Sequence, residues 1–407
     1  MRRSFATLRR GGQGMLRIPI EAGIAAGAPA WIEIDLGAVA HNVREFLGML
    51  PEGCRLLAVV KSNAYGHGMQ RVAQTALAAG AHGLAVASVH EGEELRAIGI
   101  EAPIVVVGPM APEDAVAAVV HDLVPSLGNL EVARALTAHA RRPLPVHIEV
   151  DSGMRRHGVP AAHLRDFVHE LRQRGTLQPT GVFTHFAAID PEELPAMRRQ
   201  LATFLGALAG VRDLVQPLRH AANTLASLIL PEAHLDAVRL GGGLYGFDAL
   251  RGHGPVCLRP VLSLRARIVG LRDAQPGDAV GYGGTFVCAR PSRLALLPLG
   301  YADGLVRSHW QGAEVLVAER RAPIVGLVSM NQTIVDVTDV PAASLGEEVT
   351  LLGAQGAACV SAEERVPKGG STYEVTSLLR PSLPRRYLPA PLRSSLRSAE
   401  GAHGPRR

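Results

Sequence analysis

The chain has 407 residues, of which 42 are basic and 37 acidic, and its net charge is +5. Hydrophobic residues make up 47% and charged residues 19%, as in an ordinary globular protein. The basic residues are scattered rather than clustered, which argues against a nucleic-acid partner. No apolar stretch reaches the roughly 18 residues of a membrane span, so no membrane partner is expected. Only two basic residues are lysines, Lys61 and Lys368, and any chemistry that needs a lysine amine is restricted to them.

The cysteines and the first 30 residues bear on the cellular compartment. The four cysteines lie far apart without a C-x-x-C pair: Cys54, Cys257, Cys288 and Cys359. This spacing predicts neither a metal site nor a dense disulfide framework, and it favours the cytoplasm. Residues 1–30 lack a convincing apolar core, so we interpret them as a flexible N-terminal extension, or as sequence upstream of a true start at Met15, rather than as a secretory signal.

From residue 31 to about 255, short apolar runs alternate with segments of helical period. Eight strands are predicted, at 56–60, 83–88, 103–108, 122–127, 145–150, 181–186, 218–223 and 236–242. Seven helices are predicted between them, at Met69–Ala79, Glu91–Ile98, Pro112–Val120, Leu130–Ala140, Ala161–Arg172, Glu192–Leu208 and Leu225–Leu230. Runs that are apolar throughout suit strands that are covered on both faces. The alternation therefore predicts an α/β protein with an N-terminal (β/α)8 TIM barrel.

After the barrel the pattern changes to strand-like pieces that follow one another with turns and little helix. Residues 256–388 are therefore predicted to form a C-terminal, mostly β domain. The segment 31–36 precedes the eight-fold count and is a candidate strand of that second domain. Residues 389–407 are rich in Pro, Ser, Arg and Gly and are predicted to be a loose tail.

Functional side chains of such a barrel lie where its strands end. Strand one runs directly into Lys61, and a buried lysine becomes nucleophilic because burial disfavours its charged form. Lys61 as an ordinary loop lysine is the equal alternative on this pattern alone, whereas Lys368 lies among polar residues and glycines. Strand five leads to Arg156, whose guanidinium either binds a carboxylate or is simply solvated. His185 ends strand six, where a structural role is the more common one.

The last two barrel strands end in residues that are typical of a phosphate site. Asn223 and Thr224 follow strand seven, and Gly241 and Gly242 follow strand eight. Glycine backbone N–H groups can approach an anion closely, and the Thr224 hydroxyl can donate to it. A run of glycines is equally a flexible turn, so this motif alone is weak.

Nine motifs occur together in one order, and in this order the chain resembles the alanine racemase family over residues 31–388. They are VVKSNAYGHG, DSGMRRHG, THFA, HAANT, VRLGGGLYG, GYGGTF, LGYADG, SMNQT and STYE. The resemblance implies a fold-type III pyridoxal 5′-phosphate enzyme with a barrel and a β domain. It also implies a head-to-tail homodimer with shared active sites that interconverts L- and D-alanine and supplies D-alanine for peptidoglycan.

The resemblance implies a role for each matching residue. Lys61 corresponds to the Schiff-base lysine and to one of two catalytic bases, and Tyr282 to the second base, supplied by the partner subunit. Arg239 corresponds to the residue at the pyridine nitrogen, and His185 to a support of the cofactor ring and of Tyr282. The other roles are the phosphate cradle (Tyr65, Thr224, Gly241, Gly242, Tyr373), the substrate carboxylate site (Arg156, Met330) and the access channel (Asp190, Tyr301, Arg307).

Three departures from the family pattern concern substrate range. Glu149 stands where many members have a carbamylated lysine, and its carboxylate is a candidate partner for Arg156. Asn331 replaces a more usual aspartate, and Leu327 replaces a frequent arginine. A serine or broad-specificity racemase is therefore the first alternative to an alanine racemase. A fold-type III decarboxylase and a non-catalytic cofactor carrier fit less well, because the β-domain motifs and Tyr282 are present.

Overall fold

The computed structural model describes residues 28–250, 252–366 and 370–389. The predicted N-terminal extension and C-terminal tail lie outside these residues except at their inner edges, and Lys368 lies outside them too. Among the described residues, no helix is both long enough and apolar enough to cross a membrane.

The first described elements are strand β1 (Ala30–Asp35) and helix α1 (Leu36–Met49). Asp35 caps the helix, since its carboxylate accepts a hydrogen bond from Ala38 N at 2.9 Å. β1 does not join the barrel. It pairs antiparallel with the strand Leu262–Arg267 and parallel with Arg385–Leu388, which is the last strand in the order of the C-terminal sheet.

The barrel predicted from the sequence is confirmed, with eight parallel strands that close into a ring. Its strands are β2 Arg55–Val59, β3 Gly83–Val86, β4 Ile104–Val106, β5 Val124–Leu127, β6 Leu144–Asp151, β8 Leu177–Phe183, β9 Leu218–His220 and β10 Ala237–Leu240, and the short β7 Val159–Pro160 pairs with β6. The β10–β2 and β5–β6 pairings complete the ring. Every strand therefore sends its C-terminal end to the same rim.

The helices agree with the predicted segments except at their first turns. They are α2 Lys61–Tyr65, α3 Met69–Ala78, α4 Val89–Ala97, α5 Ala115–Val120, α6 Leu130–His139, α7 Leu164–Gln173, α8 Leu194–Ala209 and α9 Thr224–Ile229. A 3-10 turn precedes each of α5, α7 and α8, where the sequence predicted the first turn of a single helix. α4 begins two residues earlier than predicted because Ser88 caps it, accepting from Glu91 N at 3.3 Å. The sequence predicted neither α1 nor α2.

The C-terminal region is mostly β, as predicted. Its strands are β11 Leu262–Arg267, β12 Gly270–Ala274, β13 Ala279–Val280, β14 Phe286–Val287, β15 Ser292–Leu297, β16 Glu314–Val317, β17 Arg320–Val325, β18 Thr333–Asp336, β19 Glu348–Gln355, β20 Ala358–Val360 and β21 Arg385–Leu388. Two short helices, α10 (Arg307–Trp310) and α11 (Thr372–Ser377), interrupt them. One continuous hydrophobic core includes residues of the barrel, β1 and this sheet, so the sheet is packed firmly beside the rim.

Candidate active site

Lys61 lies two residues after the end of β2 at Val59, at the rim where the barrel strands end. Burial lowers the pKa of its amine, and the cations Arg156 and Arg239 lower it further, whereas Glu91 opposes them. A lowered pKa gives more of the neutral amine at a given pH, and the neutral amine is the nucleophilic form. The chemistry predicted for this position is therefore available to it.

The four residues after Lys61 form a left-handed helical turn. Ser62, Asn63, Ala64 and Tyr65 all have φ between 52° and 55°. Non-glycine residues rarely adopt this conformation, and here it runs for four in succession. The turn reverses the chain sharply, so that Lys61 lies at its beginning and Tyr65 at its end.

Two tyrosines stand over the glycine loop that follows β10. The Tyr65 and Tyr373 rings make an edge contact with centroids 5.4 Å apart. A Cβ added to Gly241 would lie 3.0 Å from the Tyr65 hydroxyl oxygen, and one added to Gly242 would lie 2.7 Å from that of Tyr373. Neither hydroxyl has a hydrogen-bond partner among the described residues. The two hydroxyl groups therefore lie so close to the loop that only glycine, which has no side chain, fits at these two positions.

Thr224 ties the glycine loop to the end of β9. Its Oγ1 accepts hydrogen bonds from Gly241 N at 3.2 Å and from Gly243 N at 3.1 Å, which leaves its hydroxyl proton free to be donated. Asn223 has a structural use, since its Oδ1 caps α9 by accepting from Ala226 N at 3.0 Å. The predicted phosphate residues are therefore brought together, with Asn223 at their edge.

Arg239 is a buried cation held by backbone carbonyls and histidines. It is 4% exposed, and its Nη2 donates to Thr184 O at 2.8 Å and to Ala221 O at 3.1 Å. Its Nη1 donates to His220 Nδ1 at 2.8 Å. Burial lowers the pKa of the guanidinium to about 10, so it remains protonated near neutral pH. Among the described residues its Nε–H has no acceptor, which leaves one donor for a ligand.

The hydrogen bonds of Arg239 fix the protonation of three histidines. Arg239 Nη2 donates to His185 Nδ1 at 3.2 Å, so neutral His185 carries its proton on Nε2. Burial and Arg239 lower the pKa of His185 to about 3 and that of His147 to about 4. His220 accepts on Nδ1 and therefore donates through Nε2 to His147 Nδ1 at 3.0 Å. All three rings are neutral around one cation.

Arg156 lies in the loop after β6 and its side chain is exposed. The sequence suggested that Glu149 pairs with Arg156, but no hydrogen bond or ion pair among the described residues joins the two. The Glu149 carboxylate, 5% exposed, is hydrogen-bonded to His157 Nδ1 at 2.7 Å instead. The close turn at Gly158, with φ +106°, brings His157 back over the Glu149 side chain. Among the described residues the Arg156 guanidinium has no hydrogen-bond or ion-pair partner, so it can bind another anion.

Tyr282, Met330, Tyr301 and Arg307 form a second group, on the C-terminal domain. Tyr282 is 70% exposed and Met330 is 56% exposed. The Arg307 guanidinium lies 5.2 Å from the Tyr301 ring centroid, and the Tyr301 backbone N–H donates to Ser329 O beside Met330. No hydrogen bond, ion pair or ring contact among the described residues joins these four side chains to those around Lys61.

Asp190 lies on the barrel side of the site, in the loop after β8. It is exposed, and its backbone N–H donates to the Glu193 carboxylate at 3.1 Å. The predicted channel residues thus come from both domains.

Sequence reasoning missed two residues that are hydrogen-bonded to the Lys61 turn, Glu91 and His67. Glu91 lies in a helix whose S-x-x-E start predicts a capping box, but its carboxylate is bound to Ser62 N and Ala87 N. His67 belongs to the motif VVKSNAYGHG, and nothing in the sequence separates it from a general core histidine.

The fold and this group of side chains define a class of protein: a barrel with a lysine at its rim, joined to a β domain. Comparison with known families shows which one. The profile "Alanine racemase, N-terminal domain" matches residues 34–249 and "Alanine racemase, C-terminal domain" matches residues 261–387. The chain belongs to the alanine racemase family.

Individual relatives agree over nearly their whole length. A curated alanine racemase of Syntrophobacter fumaroxidans is 42% identical over 355 residues, which cover 86% of this chain and 94% of that protein. The crystal structure of a Bacillus anthracis alanine racemase with bound L-Ala-P has a TM-score of 0.84 at 35% identity, with 89% of this chain and 95% of that one covered. For a biosynthetic alanine racemase of Pseudomonas aeruginosa the TM-score is 0.79 at 36% identity, with 88% and 99% covered.

Proposed function

We propose that this protein is a pyridoxal 5′-phosphate-dependent racemase that interconverts L- and D-alanine. The observation that carries the proposal is that Lys61, whose pKa is lowered, lies near a cluster of hydroxyl groups that faces a glycine loop. This arrangement occurs in a chain of the alanine racemase family. D-Alanine made in this way would supply peptidoglycan synthesis.

The side chains present fit this cofactor. Tyr65, Tyr373 and Thr224 would donate to its phosphate, beside Gly241 and Gly242, where a Cβ would fill the space. The free Nε–H of Arg239 would face the ring nitrogen. Because a guanidinium does not readily give up its proton, that nitrogen would stay unprotonated. When bound, pyridoxal phosphate holds an amino group covalently through its aldehyde carbon and withdraws electrons from the adjacent Cα–H bond.

Racemisation needs a proton acceptor on one face of the substrate Cα and a proton donor on the other. Lys61 Nζ would serve one face, since its lowered pKa leaves part of it neutral and able to accept a proton. The Tyr282 hydroxyl would serve the other face. In the reverse direction the two groups exchange their roles.

We infer that Tyr282 reaches a Lys61 site from a second copy of the chain. Tyr282 and Met330 are exposed, and no hydrogen bond, ion pair or ring contact among the described residues joins them to the Lys61 group. A head-to-tail homodimer would place them over the partner's barrel rim. His185 would then offer its Nε2–H to the Tyr282 oxygen, and Arg156, with the Met330 backbone, would bind the substrate carboxylate.

The side chain of the substrate is set by the access channel. We propose that Asp190, Tyr301 and Arg307 line it, with Leu327 and Asn331 nearby. A serine or broad-specificity racemase is the second candidate, because Leu327 and Asn331 reduce charge at this mouth relative to the usual residues of the family. We place the activity in the cytoplasm, which the four free cysteines support.

One experiment tests the chemistry. The purified protein is given pyridoxal phosphate and each enantiomer of alanine, serine and lysine, and both racemisation and deuterium uptake at Cα are followed. We expect alanine to react fastest, and equal rates for serine or lysine would contradict the narrow assignment.

Tyr282→Phe should slow racemisation by about 100-fold or more while one enantiomer of alanine still exchanges its α proton. Unchanged racemisation in both directions would contradict the two-base assignment.

A further inference from the structure

The turn between Lys61 and Tyr65 costs free energy that other contacts must offset. Left-handed helical geometry costs roughly 1–2 kcal/mol for each non-glycine residue, and here four follow in succession. Within the turn itself, Ala64 N donates to Val60 O and Gly66 N to Ser62 O. These bonds replace those of an ordinary turn, so they do not explain why the left-handed form is preferred.

Glu91 binds the beginning of the turn. Its Oε1 accepts from Ser62 N at 2.5 Å and its Oε2 from Ala87 N at 2.7 Å. Ala87 follows β3, so one carboxylate joins the ends of two adjacent barrel strands. A carboxylate that accepts backbone N–H bonds makes stronger bonds than a neutral acceptor does. The same charge opposes the lowering of the Lys61 pKa by Arg156 and Arg239.

His67 binds the end of the turn. Its Nδ1 lies 2.9 Å from Ala64 O and 3.0 Å from Tyr65 O. Both partners are carbonyl oxygens, so Nδ1 must carry the proton and donate. His67 is fully buried, and its Nε2 has no partner among the described residues.

The His67 ring also packs against the site's aromatic wall. Its centroid lies 4.4 Å from that of Tyr245, which in turn lies 4.8 Å from that of Tyr65. The Tyr245 hydroxyl donates to Val59 O, at the end of the strand that leads to Lys61. The end of the turn is therefore linked to the strand before it.

We propose that Glu91 and His67 are positioning residues that hold the left-handed turn from its two ends and thereby place the Lys61 amine and the Tyr65 hydroxyl for the cofactor. The inference rests on the proposed function, because it assigns those two groups to pyridoxal phosphate. Neither Glu91 nor His67 touches the reacting atoms.

The two ring nitrogens of His67 make a matched test possible. Asparagine places an amide N–H donor where Nδ1 lies, and glutamine places one where the unused Nε2 lies. Pyridoxal phosphate affinity of the full-length apo form is measured for both variants by fluorescence titration. We expect His67→Asn to stay within about threefold of the unmodified protein and His67→Gln to bind about tenfold more weakly or worse.

Thermal unfolding of both His67 variants separates positioning from general folding. Equal cofactor affinity in the two variants, at melting temperatures within a few degrees of each other, would overturn the His67 assignment. If His67→Gln fails to fold and His67→Asn folds, the Nδ1 contact is needed for the turn and the assignment stands. If both variants fail to fold, the ring matters as packing and the assignment is overturned.

The role of Glu91 can be tested by following the titration of Lys61, because lysine is rare in this chain. Lysine labelled with 13C at Cε gives signals from only two side chains, and Lys368→Arg assigns them. The titration of Lys61 is followed in the full-length apo protein, so this readout does not depend on activity. We expect Glu91→Gln to lower the pKa of Lys61 further, since it removes the one anion that opposes Arg156 and Arg239.

A matched control for that titration is Glu94→Gln, on the same helix, whose carboxylate pairs with His90 and has no hydrogen bond to the turn among the described residues. It should leave the Lys61 titration unchanged. An unchanged Lys61 pKa in Glu91→Gln, or an equal change in both variants, would overturn the Glu91 assignment. If the protein proved not to be a racemase, the titration and the cofactor affinities would still decide whether these residues hold the turn.

Discussion

At the scale of single residues, the site depends on how charge is distributed around Lys61 and Arg239. Two buried or nearby cations, Arg156 and Arg239, face one amine whose pKa burial has already lowered. The groups that accept hydrogen bonds from Arg239 are neutral histidines and carbonyls, and among the charged groups Glu149 opposes its positive field. An anionic cofactor and an anionic substrate would both be attracted to this field.

Thr224 tests the phosphate cradle at this scale. Thr224→Val keeps the shape but removes the acceptor of Gly241 N and Gly243 N, as well as the hydroxyl donor. We expect pyridoxal phosphate to bind about tenfold to 100-fold more weakly, since buried N–H groups lose their partner. Thr224→Ser keeps the oxygen and is the control. Equal cofactor dissociation constants for the valine and serine variants would contradict the cradle.

The sequence predicted the residue types of the site better than their partners. The positions of Lys61, Arg239 and Thr224 in or just after barrel strands could be predicted, because the strands follow one another in a regular order. The pairing of Glu149 could not, since it depends on a tight turn at Gly158 that returns His157 to it. A contact made by a turn of unpredicted geometry cannot be read from spacing along the chain.

At the scale of elements, the left-handed turn α2 is held between β2 and the C-terminal helix α11. A Cβ added to Gly66, where φ is +86°, would lie 2.0 Å from Thr376 O of α11. The Arg385 guanidinium of β21 donates to Gly66 O at 3.0 and 2.9 Å. The β domain therefore fixes the element that carries Lys61, although the lysine belongs to the barrel.

Substitution of two glycines that have nearly the same φ can separate the effect of this crowding from the effect of backbone strain. Gly66→Ala and Gly99→Ala both place an alanine at φ above +80°, but nothing lies within 4 Å of a Cβ at Gly99. We expect Gly99→Ala to cost about 1 kcal/mol of unfolding free energy and Gly66→Ala about 2 kcal/mol more. Urea unfolding measures both. Equal losses would show that α11 does not press on the turn.

Periodicity predicted the eight strands and the long helices because each has one apolar face or a fully apolar run. It failed at α2, since the sequence KSNAY carries no signal for left-handed geometry beyond an asparagine. It also failed at α1, Leu36–Met49, which follows β1 and precedes the first barrel strand. The helix α1 is not one of the helices that connect two barrel strands, so the strand–helix alternation does not predict it.

At the scale of the whole molecule, buried neutral histidines make stability depend on pH. Burial lowers the pKa of His67 and of His147 to about 4 from an ordinary value of 6.5. Between these values the unfolded chain binds more protons than the folded one, so stability is full above pH 6.5 and falls as pH drops towards 4.

We therefore expect each of these histidines to remove roughly 2 kcal/mol of stability between pH 7.5 and pH 5. Urea unfolding at the two pH values measures the loss. The variant His67→Asn, which keeps the hydrogen bond but does not titrate, should lose less stability than the unmodified protein over the same interval. An equal pH dependence in the two proteins would contradict the assignment of His67 as a buried neutral base.

The central claim of the proposed mechanism is that the two groups of site residues, which lie on separate domains, meet across a dimer. Lys61→Ala and Tyr282→Phe are each expected to be nearly inactive. A mixed dimer of the two variants would contain one site with both Lys61 and Tyr282 and one site with neither. After the variants are unfolded together and refolded, alanine racemisation should return to about a quarter of the unmodified rate. Activity that stays at the level of the separate variants, in a preparation shown to contain mixed dimers, would contradict the claim.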